Sequence, residues 1–143
     1  MQNLEFNIHI ESTPEKVWKC LWELENYKKW TNVFCEGSYY KVNDFKQGNK
    51  ILLLTPSGDG MYSIIDLFEE YKLLVFKHFG ELKNFEEQPL PFWTNAIESY
   101  QLIPNEDCVK LKVNVDTLDE YVDFMQETFP LASLKLKELV LSN

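Results

Sequence analysis

The stretch that decides the fold is residues 117–140, which read TLDEYVDFMQETFPLASLKLKELV. Apolar side chains recur there every three or four residues, the spacing of the buried face of an amphipathic helix. Thr117 and Glu120 have the spacing of a capping box, so a helix is expected to start at Thr117. Pro130 lies within the pattern and predicts a kink or break near residues 126–129. The sequence therefore predicts one long helix, whose apolar stripe is formed by Leu118, Tyr121, Val122, Met125, Phe129, Ala132, Leu136, Leu139 and Val140.

The residues before this helix carry mainly strand patterns. Residues 4–10 alternate between apolar and polar side chains, which predicts a strand with one buried face. Thr13 can cap a short helix whose first residue is Pro14, and residues 26–30 predict a second short helical turn. Further strands are predicted at 33–40, 51–54, 61–68, 73–78, 93–103 and 108–115, with an irregular segment at 80–91.

This order of elements predicts an α+β fold in which residues 1–143 form a single domain. The sheet is expected to be antiparallel and seven-stranded, and one helix cannot cover its whole apolar face. We therefore expect the sheet to curve around the long C-terminal helix, with the two short helices closing one end. Volume that the side chains do not fill would remain as a cavity between the sheet and the long helix.

Composition excludes several classes of function. The chain has 143 residues and a formal net charge of −9, which argues against nucleic-acid binding because that needs clustered cations. It has no apolar run of the ~18–20 residues that span a bilayer, so no membrane insertion is expected. The first residues lack a basic region followed by an apolar run, so no signal peptide is expected either. Aromatic residues make up 15% of the chain, a surplus that could line the cavity.

The cysteines and histidines predict neither a disulfide framework nor a metal centre. Cys20, Cys35 and Cys108 are widely spaced among apolar residues and are expected to be reduced core thiols of a cytoplasmic protein. His9 and His78 lack the close Cys, His or carboxylate spacing of a zinc site. No metal or other cofactor is therefore expected.

Glu98 is the most informative polar residue. It alternates with Tyr100 and Leu102 onto one face of a predicted strand, so the three should face the long helix together. His78, at the end of the preceding strand, and Tyr100 are its candidate partners. Glu98 could serve as a polar anchor or a general acid or base in an apolar pocket, or it could belong to a purely structural hydrogen-bonded network.

The pocket is expected to combine this polar group with aromatic and sulfur-containing side chains. The segment 80–92 carries bulky apolar residues among acids, and it predicts either a lid or a long loop pinned by Leu82 and Phe85. No residue is assigned a catalytic role. The predicted ligand-binding residues are Glu98, His78, Tyr100, Trp93, Phe76, Trp30, Met125 and Phe129.

Several short motifs, taken in order along nearly the whole chain, resemble a known superfamily. They are IESTPEKVW at 10–18, YKKWT at 27–31, HFG at 78–80, Trp93 followed by ESYQL at 98–102, and Phe124 followed by Phe129-Pro130 and Leu134. In these the chain resembles the START-like, helix-grip or SRPBCC superfamily, which includes birch-pollen-allergen relatives and polyketide cyclases. Within it the resemblance is to the branch named for activators of the heat-shock protein 90 ATPase. It implies a helix-grip fold.

Three functions are compatible with this resemblance, because superfamily members include binders, enzymes and co-chaperones. The favoured hypothesis is a protein that binds an unidentified hydrophobic small molecule or lipid in the cavity. The alternative is a protein-interaction role like that of the chaperone activators, with a chaperone as partner. A cyclase or hydrolase built on Glu98 and His78 is a third hypothesis, although nothing in the sequence identifies a substrate. A homodimer is a further expectation.

Overall fold

One face of an antiparallel sheet packs against a long helix in the computed structural model, which describes residues 1–142. None of the helices in this described range is long and apolar enough to cross a bilayer. The elements, in chain order, are β1 (Gln2–Ile10), α1 (Pro14–Trp22), α2 (Leu24–Thr31), β2 (Tyr39–Val42), β3 (Lys50–Leu54), β4 (Gly60–Glu69), β5 (Leu73–Lys83), β6 (Glu86–Glu87), β7 (Ala96–Asn105), β8 (Cys108–Thr117), a 3-10 turn (Asp119–Tyr121) and α3 (Val122–Ser142).

The sheet confirms the predicted α+β, helix-grip architecture. Its strand order is β1-β8-β7-β5-β4-β3-β2, and every neighbouring pair is antiparallel. These are the seven predicted strands. An eighth, the two-residue β6, pairs with the end of β5 inside the segment that was expected to be irregular. The strand β5 also runs on to Lys83, well past the predicted end at His78.

The two short helices form where their capping residues predict them. The Thr13 hydroxyl accepts a hydrogen bond from the Lys16 N–H, and Pro14 occupies the first helical position, where its missing N–H costs nothing. The helix α1 buries Val17, Trp18, Cys20, Leu21 and Trp22. Next, α2 buries Tyr27 and Trp30, and both helices contact α3. They therefore close one end of the space between the sheet and α3.

The long helix starts later than predicted, and of the kink or break predicted at Pro130 it shows no break. Thr117 does not cap it, because Thr117 still pairs with Gln2 in the sheet and its hydroxyl donates to the Val115 carbonyl. The helix starts after the 3-10 turn instead. It then continues through Pro130 without a break. Pro130 and Gln126 are exposed, so water can reach the Gln126 carbonyl that lacks a helical donor.

The structure corrects the bounds of one predicted strand and the prediction of three core thiols. The strand predicted at 33–40 runs instead from Tyr39 to Val42, because residues 33–38 form turns in which the Asn32 side chain accepts the Gly37 N–H. Gly37 has φ +82° there, a conformation that other residues rarely adopt. Cys35 lies in these turns and is exposed, and Cys108 is half-buried, so only Cys20 is a core thiol.

Gly60, the first residue of β4, lies where the sheet leaves no room for a side chain. Its φ is +156°, and a Cβ there would lie 1.9 Å from the Leu53 carbonyl oxygen. Gly48 provides a contrast, because its φ is +92° but nothing lies within 4 Å of the position that a methyl group would occupy. Gly60 thus holds the β3–β4 hairpin together beside the cavity described below.

We expect Gly60→Ala to lower the free energy of unfolding by about 2–4 kcal/mol. The new methyl group would collide with the Leu53 carbonyl, whose position is fixed by the pairing of β3 with β4. The matched control Gly48→Ala carries only the backbone strain and should cost roughly 1 kcal/mol. Urea unfolding followed by tryptophan fluorescence measures both. Equal losses in the two variants would contradict the role given to the contact with Leu53.

Candidate functional site

A cavity of about 580 Å³ lies between the sheet and α3. This volume falls within the range of pockets that hold small molecules. Strands β5, β7 and β8 form its floor, α2 and α3 form the opposite wall, and the surface is mainly apolar. Its aromatic lining consists of Trp22, Tyr27, Trp30, Phe34, Phe76, Trp93, Tyr100, Tyr121, Phe124 and Phe129.

The structure brings all eight predicted site residues to this cavity. They come from β5, β7, α2, α3 and the turn before β7, and they are Glu98, His78, Tyr100, Trp93, Phe76, Trp30, Met125 and Phe129. Other residues that line the cavity are not among the predicted ones, for example Leu53, Ala96 and Leu118. Ala96 shares the strand face of Glu98 and could have been found by alternation. Leu53 and Leu118 depend on the register of distant strands.

Glu98 lies at the centre of a polar cluster on the floor of the cavity. The sheet sets Glu98 directly opposite Phe76 and sets His78 opposite Ser63. His78 Nε2 lies 2.9 Å from Glu98 Oε1, and the Tyr100 hydroxyl donates to Glu98 Oε2 at 2.5 Å. Behind His78, its Nδ1 lies 2.6 Å from the Ser63 hydroxyl. The cluster therefore spans three adjacent strands.

An irregularity in β5 helps to position His78. Tyr62 pairs with Gly80 and the next residue, Ser63, pairs with His78, so Phe79 is an extra residue, a β-bulge. Bulges redirect side chains and recur next to functional sites. Asn95, with φ +73°, donates its N–H to the His78 carbonyl at 2.8 Å and so fixes the start of β7 beside the bulge.

The electrostatics of the cluster favour a charged Glu98. Burial raises the pKa of the Glu98 carboxyl, but the hydrogen bond and charge of His78 and the hydrogen bond from Tyr100 outweigh burial and leave that pKa below its ordinary value of 4.5. Burial, and then the charge of Glu98, raise the pKa of the Tyr100 hydroxyl well above 10.0. At neutral pH Glu98 is therefore an anion, and Tyr100 is a neutral donor to it.

The same bonding defines the proton positions on His78. An ionised carboxylate only accepts hydrogen bonds, so Nε2 carries a proton and donates it to Glu98. Nδ1 accepts a hydrogen bond from the Ser63 hydroxyl when the ring is neutral, and it donates one to the Ser63 oxygen when the ring is protonated. All the polar groups of the cluster thus have partners, as a structural network requires.

Ser63, His78 and Glu98 have the residue types of a hydrolytic triad, but the arrangement is inverted. In a triad the serine oxygen meets the substrate and the acid lies behind the histidine. Here Ser63 is 0% exposed and lies outside the cavity lining, whereas Glu98 faces the cavity. A substrate in the cavity would not reach the serine, so the cluster does not support nucleophilic hydrolysis through Ser63.

Trp22 carries a buried polar atom that does not belong to the hydrogen-bonded cluster. Its Nε1 is buried without a hydrogen-bond acceptor among the described residues. The indole ring instead stands perpendicular to the Tyr100 ring, with the ring centroids 4.8 Å apart. Such edge-to-face pairs are favourable in aromatic cores and fix both rings next to Glu98.

The segment 80–92 borders the cavity only at its N-terminal end. Leu82 is buried and lines the cavity, as does Trp93, which follows the segment. None of residues 84–92 lines it. Phe85 was expected to pin the segment, yet it is 60% exposed and lies over Gly58. Phe92 is exposed as well. The segment therefore consists of the end of β5, the short strand β6 and a following loop, and its residues 84–92 do not line the cavity.

The described residues offer no site for a metal ion. Among residues 1–142 no group of three or more His, Cys, Asp and Glu side chains is arranged to hold one. The histidine of the cluster already bonds to Ser63 and Glu98.

Comparison with known proteins identifies the fold class. No family model matches the chain, and no curated protein does. A solved structure of protein MLL2253 from Mesorhizobium loti has a TM-score of 0.75 at 15% identity, over 99% of this chain and 98% of that one. The Aha1 dimer from Colwellia psychrerythraea has a TM-score of 0.70 at 21% identity, over 98% and 96%. DynU16, from the dynemicin biosynthetic locus, has a TM-score of 0.74 at 11% identity, over 99% of this chain and 48% of that one.

These likenesses establish a helix-grip fold and nothing narrower. Membership of the superfamily that the sequence motifs resemble stays a prediction. The closer resemblance to the branch of heat-shock protein 90 ATPase activators stays a prediction, because identities of 11–21% carry fold and not function.

Replacing Glu98 tests the electrostatics of the cluster. We expect Glu98→Gln to lower the free energy of unfolding at neutral pH by about 1–2 kcal/mol, because a neutral amide replaces a charged acceptor. The folded-state pKa of Glu98 lies below its unfolded value, so the carboxylate stabilises the fold fully above pH 4.5 and stops doing so as the pH falls through the folded pKa. The difference between wild type and variant should therefore shrink in acid. Urea unfolding at a series of pH values measures it.

Glu127→Gln is the matched control, because Glu127 is exposed on α3 and lies outside the cavity. It should leave the stability of the protein nearly unchanged at every pH. A difference between wild type and Glu98→Gln that grows as the pH falls would contradict a lowered pKa for Glu98.

Proposed function

We propose that this protein binds a hydrophobic small molecule or lipid in the cavity between the sheet and α3. The observation that carries the proposal is the cavity itself, which measures about 580 Å³ and is walled by aromatic side chains around a single polar cluster. Pockets for small molecules combine a mostly apolar wall with a few well-placed polar groups. The apolar wall supplies affinity, and Glu98 supplies orientation.

Binding is favoured over catalysis by the state of the polar groups. His78 and Tyr100 are both committed to Glu98, and Ser63 is sealed behind His78. A general base must lie within hydrogen-bond distance of the substrate proton that it removes, and a nucleophile must be able to contact the substrate. The proposed roles are therefore those of a polar anchor for Glu98 and of supporting donors for His78 and Tyr100.

Fluorescence of the neutral probe N-phenyl-1-naphthylamine tests this proposal. The probe should bind the wild-type protein with one site per chain and fluoresce more strongly in the apolar cavity. Met125→Trp should weaken binding about tenfold or more, which corresponds to roughly 1.4 kcal/mol, because the larger ring fills space that the probe needs. Met125 lines the cavity from α3, so its side chain borders that space directly.

Gln126→Trp is the matched control for that substitution. Gln126 is the next residue of the same helix, is exposed and does not line the cavity. The control should bind the probe as the wild type does. No saturable binding to the wild type, or equal binding by the Met125 and Gln126 variants, would overturn the proposal.

A co-chaperone role is the second candidate, and one specific observation favours it. Of the three structural neighbours described above, the one with the highest identity, 21%, is described as the Aha1 dimer. This agrees with the resemblance to the activator branch that the sequence motifs carry. The net charge of −9 would suit a partner with a basic surface. The same neighbour supports the prediction of a homodimer, which sedimentation analysis tests.

An ATPase assay with a heat-shock protein 90 chaperone separates the two functions. A co-chaperone should raise the chaperone's ATP turnover several-fold in proportion to its occupancy, and the effect should fall with salt because surface charges would carry the contact. Bovine serum albumin at the same concentration controls for nonspecific effects. An unchanged turnover at saturating protein would exclude activation of that chaperone.

A further inference from the structure

We infer that the cavity selects a cationic ligand, an amine carried on an apolar body, whose ammonium group binds to Glu98. This inference rests on the proposed function and specifies the ligand class for the same cavity. Its starting point is the way in which the Glu98 carboxylate is bonded.

The carboxylate has unused capacity to accept hydrogen bonds. Its two oxygens can accept about four hydrogen bonds in all. The protein supplies two, from His78 Nε2 to Oε1 and from the Tyr100 hydroxyl to Oε2. The Glu98 side chain retains 18% exposure and lines the cavity. A donor on the ligand can therefore reach it without breaking either existing bond.

The charges around the cavity also favour a cation. The charged side chains that line it are the carboxylates Asp59, Glu81, Glu98 and Asp116 and the ammonium group of Lys83. The amino group of Met1 lies at the same border, but it already pairs with Asp119 at 3.0 Å. Negative groups thus outnumber positive ones, and an entering cation is attracted where an anion is repelled.

The aromatic wall adds to the same preference. Tyr100 donates to Glu98, and its ring centroid lies 4.8 Å from that of Trp22 and 6.3 Å from that of Trp30. All three rings line the cavity. Aromatic faces attract cations, and tryptophan does so most strongly. An ammonium group at Glu98 would therefore have a charged acceptor and neighbouring aromatic rings.

The same charges disfavour binding of a ligand with a carboxylate head. Its charge would repel that of Glu98 inside a mainly apolar cavity, where water screens charges poorly. Lys83 is the last residue of β5 and is exposed, so water screens its charge more strongly than the buried surroundings of Glu98 screen the carboxylate. A neutral alcohol could donate one hydrogen bond to Glu98 and should bind between the two extremes.

Three ligands that share one body test the inference: 2-(1-naphthyl)ethylamine, 2-(1-naphthyl)ethanol and 3-(1-naphthyl)propanoate. Each is titrated against the protein loaded with N-phenyl-1-naphthylamine, and displacement gives its relative affinity. The amine should bind about tenfold or more tightly than the alcohol, and the carboxylate should bind most weakly. The preference should persist at high salt, because salt screens buried pairs much less than surface charges.

Glu98→Gln should remove the preference for the amine while it leaves the alcohol's affinity within about threefold of wild type. Glu127→Gln, outside the cavity, should keep the wild-type order. If Glu98→Gln does not fold, the order of the three ligands on wild type at low and high salt decides the matter. An amine preference that disappears at high salt would mean surface attraction and would overturn the inference.

The outcomes separate this inference from the proposed function. If the probe and the alcohol bind but the amine has no advantage, the cation preference is wrong and hydrophobic binding stands. Tightest binding by the carboxylate also overturns the preference alone. If neither the probe nor any of the three ligands binds, the proposed function fails and the inference fails with it.

Discussion

The apolar face of the sheet is wider than a single helix can cover, and this mismatch governs the rest of the structure. Eight strands pair in one continuous sheet, whereas α3 is the one long helix among the described residues. The short helices α1 and α2 fill one end with aromatic side chains such as Trp22 and Trp30. The protein side chains therefore do not fill the space between the sheet and α3, and they enclose a cavity of about 580 Å³.

A carboxylate on the wall of such a space costs free energy unless donors surround it. Glu98 meets this requirement with His78 and Tyr100, and Ser63 completes the bonding of His78 from behind. The network thus gives an anion a fixed position in an apolar wall. A fixed charge in an apolar lining distinguishes this cavity from a core that is merely underpacked. The charge of a ligand should therefore affect its affinity as much as its size does.

Alternation along single strands made much of this site accessible from sequence. Glu98 and Tyr100 share a face at a spacing of two, and that simple periodicity placed both of them in the cavity. Ser63 could not be found in this way, because its contact with His78 depends on the bulge at Phe79, and a bulge changes register without a local signal. The prediction that Thr117 caps the helix was wrong for a similar reason. Thr117 pairs with Gln2, a contact distant in sequence, whereas the local spacing predicted it at the start of the helix.

The pairing of β1 with β8 has a consequence for synthesis of the chain. β1 lies at one edge of the sheet, and its strand partner β8 comprises Cys108–Thr117, about a hundred positions later. During synthesis on the ribosome, β1 cannot pair and its apolar side chains cannot be fully buried until β8 has been made. Contacts so distant in sequence slow folding and leave apolar surface open to aggregation in the interval. Nascent chains of this protein are thus expected to need protection of the apolar residues of β1 until β8 has been synthesised.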